Sequence, residues 1–114
     1  MSAPAVEQLA PGLSVTGQLD PAAMVWAAHA GFKSVINNRP DFEGGPDQPT
    51  SASIETAALA AGLRYAFLPV APASQTPQEI ERFAELLHEL PKPVLAFCRS
   101  GTRSGKLYHA LTGR

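Results

Sequence analysis

Two hydrophobic rhythms alternate along this chain. Short apolar or alternating runs, Leu13 to Gln18, Phe32 to Asn37 and Leu63 to Leu68, read as strands. A fourth run, Pro93-Val94-Leu95-Ala96-Phe97, has no polar alternation, as expected of a strand buried on both faces of a parallel sheet. Between them lie helical patterns. Asp20 with Pro21 at the first position opens one that Gly31 ends, and Ser51 to Ala61 forms a second, closed by Gly62. Thr76-Pro77-Gln78-Glu79 is a capping box that starts a third, with Ile80, Phe83, Ala84, Leu87 and Leu90 on one face. The last runs from about Arg103 to Leu111, and residues 1–12 read as an entry segment. The order β-α-β-α-β-α-β-α predicts a single α/β domain with a four-stranded, mainly parallel sheet and helices on both faces.

Two stretches rich in turn formers, Asn38 to Pro49 and Pro69 to Gln75, leave predicted strands at their C-terminal ends, the edge where open α/β sheets hold ligands. The third loop at that edge is Cys98-Arg99-Ser100-Gly101-Thr102-Arg103-Ser104. Strand, glycine-containing loop and helix together build an anion site, because successive backbone N–H groups turn inward and the helix N-terminus adds positive potential. The same field lowers the pKa of a thiol at the floor of the cup and makes Cys98 a nucleophile. Arg99, Ser100, Gly101, Thr102, Arg103 and Ser104 are therefore the anion-binding candidates. Asn37, Asn38 and Arg39 are second contributors from the neighbouring loop.

Composition narrows the picture. A 114-residue chain can bury a core without staples, and its single cysteine excludes an internal disulfide. No Cys/His cluster has zinc spacing, so neither metal nor other cofactor is expected. No stretch is long and apolar enough for a membrane, and the N-terminus has no signal-peptide pattern, which together with the lone thiol points to the cytoplasm. Net charge is −1, with −6 in residues 1–90 and +5 in residues 91–114. The basic end is the cysteine end, a patch suited to a small anion and too small for nucleic acid. A monomer or homodimer is expected.

Arginine lies five residues after the cysteine, giving C-x4-R, one residue shorter than the C-x5-R of protein tyrosine phosphatases. The loop also resembles that of rhodanese-type sulfurtransferases, which carry sulfane sulfur as a cysteine persulfide. Val15-Thr16-Gly17-Gln18, Gly31 to Asp41 and Val94 to Ser104 together resemble the phosphatase-like domain family of beta-lactamase-hydrolase-like proteins, over nearly the whole chain. That resemblance implies a dual-specificity-phosphatase-like fold with sheet order 1-4-2-3. It also implies a catalytic Cys98 and Arg103, a functional Asn37-to-Asp41 motif, and a metallo-beta-lactamase-fold or sulfide-oxidising partner protein.

Phe97 stands where tyrosine phosphatases usually have histidine, and Pro69 to Gln75, where a general acid is expected, contains no carboxylate. Asp41 is the substitute acid. Sulfur transfer from thiosulfate or a persulfide to a thiol acceptor needs no such acid, since its leaving group is already a stable anion. From sequence, a sulfurtransferase working through a Cys98 persulfide therefore ranks first. A phosphatase acting on a phosphate ester through phosphocysteine ranks second, and a non-catalytic anion- or partner-binding module third.

Overall fold

The computed structural model describes residues 4–113. Five strands and four helices follow one another as β1 (Val6–Ala10), β2 (Leu13–Thr16), α1 (Ala23–His29), β3 (Ser34–Asn37), α2 (Ser51–Ala60), β4 (Arg64–Phe67), α3 (Pro77–Glu89), β5 (Val94–Phe97) and α4 (Thr102–Thr112). The sheet order is β1-β2-β5-β3-β4. Its four parallel strands stand in the order 1-4-2-3 expected from the family resemblance, with the cysteine strand β5 paired to β2 on one side and β3 on the other. Strand count is the correction. The entry segment supplies a fifth strand, β1, which turns at Gly12 (φ +84) and pairs antiparallel with β2, so the sheet is mixed.

Every residue of β2, β3 and β5 is buried, as the unalternating run in β5 requires. On one face Val94 and Ala96 meet Phe83, Leu86 and Leu90 of the α3 segment and Leu107 of α4. On the other, Leu95 and Phe97 meet Met24 and Ala27 of α1 and Ile54 and Ala58 of α2. The capping box forms in full, with Thr76 Oγ1 accepting from the Glu79 amide and Glu79 Oε1 from that of Thr76. Helix α1 starts two residues later than its proline suggests. Asp20 Oδ1 still accepts the Ala23 amide at 2.9 Å, but Pro21 and Ala22 form a turn before the helix. Among the described residues no helix is long and apolar enough to cross a membrane.

Candidate active site

Pinned between two parallel neighbours, β5 delivers Cys98 to the C-terminal edge of the sheet. The loop is then laid against β2: the Gln18 amide donates to Arg99 O at 3.2 Å, and a Cβ on Gly17 would stand 3.0 Å from that oxygen. Gly101 turns the chain into α4 with φ +91, and a Cβ there would meet the Thr16 carbonyl carbon at 3.3 Å. Both demands, a left-handed backbone and a close approach, call for glycine. Gly101→Ala should cost about 1–3 kcal/mol of stability, read as a lower Tm together with slower alkylation of Cys98.

Cys98 is 1 % exposed, and its Sγ accepts the Gly101 amide at 3.0 Å. Burial pushes the thiol pKa up, but the amides of Ser104, Ser100 and Gly101 and the Ser104 hydroxyl outweigh it, so the net shift is downward. Ser104 has one hydroxyl proton, and it is donated to Asn38 Oδ1 at 2.8 Å. The backbone amides therefore carry most of the thiolate's stabilisation. Since the folded thiol is more acidic than the unfolded one, this group adds stability above the unfolded pKa and loses that contribution as pH falls through the folded value. The alkylation rate plotted against pH should inflect below the ordinary thiol value of about 8.5. An inflection at or above that value would contradict the amide cup.

Arg103, in the first turn of α4, is 7 % exposed and does not point idly at solvent. Nη1 and Nη2 make a bidentate pair with Glu43 Oε2 and Oε1, both at 3.0 Å, and Nη1 also donates to Val70 O at 3.0 Å. Three of the five guanidinium N–H groups are thus engaged. The unengaged pair, on Nε and Nη2, forms the side-on edge of the guanidinium, which is itself a bidentate oxyanion donor. Glu43 also accepts Arg39 Nε at 2.9 Å, while Arg39 Nη1 donates to Gln18 Oε1 at 3.0 Å. The Glu43 carboxylate therefore ties the β3 and β5 loops together, and Arg39 extends the tie to the β2 loop. Hydrogen bonding to Arg103 lowers the Glu43 pKa most, burial opposes, and Arg39 adds to the lowering.

The remaining candidates fall into two groups. Arg99, Ser100 and Thr102 stand exposed on the outside of the loop. Asn38, fully buried, donates to Leu68 O at 3.0 Å and accepts from Ser104, so it braces the cysteine loop from the β3 side. Asn37 points elsewhere. Its Nδ2 donates to the Tyr65 hydroxyl, which also bonds Ser51, and its Oδ1 takes the Arg39 amide. Asp41 Oδ1 accepts the Ser51 amide at 2.7 Å, at the start of α2. No group of three or more metal-ligating side chains occurs among the described residues.

Glu43 and Gln18 were not among the residues nominated from sequence. Glu43 pairs with Arg103 sixty residues away, and the readable trace of it was the i, i+4 spacing from Arg39 within a loop.

A mainly parallel sheet flanked by helices, with an acidified thiol cupped by a strand-to-helix loop and an arginine entering the same edge, defines the class of cysteine-loop, phosphatase-fold proteins. Within it, residues 5–112 match the family model described as beta-lactamase hydrolase-like protein, phosphatase-like domain, and the chain belongs to that family. A beta-lactamase hydrolase-like protein of Agrobacterium fabrum is 41 % identical over 105 residues, which are 90 % of this chain and 24 % of that one. This chain thus spans about a quarter of the length of that curated relative. Among solved structures, a candidate phosphatase of Neisseria meningitidis superposes with TM-score 0.81 at 33 % identity, covering 90 % of this chain and 72 % of the other. A cysteine-to-serine variant of TpbA from P. aeruginosa, in complex with phosphotyrosine, shares the fold with TM-score 0.61 at 16 % identity, over 90 % of this chain and 58 % of that one.

Proposed function

We propose that this chain is a cysteine-dependent phosphatase acting on phosphate monoesters. The sequence ranked sulfur transfer above phosphate hydrolysis. The phosphatase-like family model and the phosphatase neighbours reverse that ranking, and nothing in them speaks for a rhodanese activity. The observation that carries the reading is Arg103: Glu43 and Val70 hold it so that its side-on edge is left for an oxyanion, at the sheet edge that carries an amide-stabilised thiolate.

In the proposed mechanism the Cys98 thiolate attacks phosphorus, forming an S–P bond while the ester P–O bond breaks. Amides of residues 99–104 and the side-on edge of Arg103 hold the equatorial oxygens. The leaving alkoxide takes a proton. Glu43 is a poor donor because two guanidiniums keep it ionised, so the role falls to Asp41, whose Oδ1 caps α2 and whose Oδ2 remains for it. Water then attacks phosphorus and gives its proton back to Asp41 as the S–P bond breaks, releasing inorganic phosphate and regenerating the thiolate.

Asp41→Asn tests this with little damage to the fold, since the amide oxygen can still accept from Ser51. Hydrolysis of an aryl phosphate should slow by ~10²-fold or more if the proton donor is lost. Unchanged hydrolysis would remove Asp41 from the mechanism.

Sulfur transfer is the second reading, favoured by two features: the sulfur's stabilisation comes mainly from backbone amides, the donors a persulfide needs, and Pro69 to Gln75 holds no carboxylate. Thiosulfate-to-thiol transfer by the same preparation, unaffected by Asp41→Asn and faster than aryl phosphate hydrolysis, would restore it to first place.

A further inference from the structure

Phe42 is the one non-glycine residue with positive φ among the described residues, at +65°. It is also the most exposed large apolar side chain there, 68 % accessible. Each feature is unfavourable by itself. A bulky residue in the left-handed region is strained, and glycine, which follows at positions 44 and 45, would relieve it. A lone exposed apolar side chain needs no explanation in general, but here the fold gains no burial from a ring placed where the backbone resists it.

The loop is braced around this residue. On one side Asp41 is tied to the Ser51 amide at 2.7 Å; on the other Glu43 is tied to Arg103 and Arg39. Gln48 cross-links the turn, accepting from the Gly44 amide at 2.7 Å and donating to Pro40 O at 2.9 Å, and the Gly45 amide donates to Phe42 O at 3.1 Å. With both neighbours fixed, residue 42 is held in its strained conformation with its side chain outward. Strain that surrounding contacts over-determine is characteristic of ligand clamps.

The geometry points to Phe42 as a specificity-determining residue: its ring packs against the leaving group of the substrate and selects phosphate monoesters of aromatic or other flat alcohols. The residue next to it, Glu43, orients the oxyanion-holding arginine, so the ring and the carboxylate that anchors the guanidinium share one braced loop. This rests on the phosphatase reading and names its substrate class.

Phosphonates separate the two ideas because they bind without turnover. Phenylphosphonate and methylphosphonate carry the same anion and differ in the flat group. Calorimetric titration of the wild-type chain should show phenylphosphonate binding about 3- to 10-fold more tightly, the worth of one aromatic contact. Phe42→Gly should abolish that preference, leave methylphosphonate affinity unchanged and keep or raise Tm, because glycine accepts the backbone angle. Phe42→Tyr should keep the preference. A preference that survives Phe42→Gly would overturn the proposal while leaving the phosphatase reading intact. If neither phosphonate binds, the oxyanion cup itself has failed and the assignment of Phe42 falls with it.

Discussion

Cys98→Ser should eliminate phosphate ester hydrolysis, with a loss on the order of 10⁴-fold or more in kcat, while the folded structure and anion binding persist. The reason lies in what the loop supplies. Amides of Ser104, Ser100 and Gly101 lower the pKa of the thiol and so favour its nucleophilic anion, but a serine hydroxyl starts far too high for the same donors to ionise it. Neither a histidine before the cysteine nor any carboxylate in Pro69 to Gln75 is present to act as an activating base. The variant should therefore be inert yet still bind phenylphosphonate. Steady-state rates alongside calorimetry check both halves, and residual turnover within about 10-fold of wild type would mean that another group does the chemistry.

Glu43→Gln should produce the second large effect. Its carboxylate, one-fifth exposed (21 %), is shared by Arg39 and Arg103, whose side chains are 11 % and 8 % exposed. Removing the charge leaves two confined guanidiniums without a counter-ion. Breaking a fully buried pair costs about 3–5 kcal/mol, and partial exposure of Glu43 reduces the expected loss to about 1–3 kcal/mol. The catalytic loss should be larger in proportion, ~10²-fold in kcat/KM, because Arg103 is no longer held with its side-on edge free. The pH dependence has a definite sign. Hydrogen bonds from Arg103 hold the folded carboxyl below its ordinary value, so its stabilisation is complete above the unfolded pKa and disappears as pH falls through the folded one. Chemical denaturation across the acid range should show that decline in the wild type and a flatter profile in Glu43→Gln. Equal slopes would contradict the clamp.

What could be read from the sequence follows how local each signal is. Strand β5 and the cysteine loop were legible because Pro93 to Phe97 is apolar without interruption and because Cys98, Gly101 and Arg103 fall within six residues. The Thr76 capping box is equally local, and it forms as written. Strand β1 was not legible: three of its five residues are exposed and its one partner is β2, so burial imposes no alternation. Ala10-Pro11-Gly12 was the readable trace, a turn that returns the chain antiparallel. In α3, Leu86 is 4 % exposed although it was left off the predicted core face, whose other members were placed by strict helical spacing.

The site divides the same way. Asn38 and Asp41 share a motif, yet one braces the cysteine loop through Ser104 and the other caps α2 ten residues on. Only the tertiary structure separates those roles. Glu43 left only its i, i+4 spacing from Arg39 to read, because an acidic residue in a turn-rich loop looks solvated until Arg103, from the other end of the chain, is brought to it.

In the phosphatase reading the Cys98 thiolate takes a phosphoryl group. Acid quenching of the wild-type chain during turnover of an aryl phosphate, followed by intact-protein and peptide mass analysis, tests it most directly. The phosphatase reading expects one phosphoryl adduct, located on Cys98 and missing from Cys98→Ser. Contradiction would be an unmodified Cys98 under those conditions in a preparation that gains one sulfur atom on the same residue from thiosulfate.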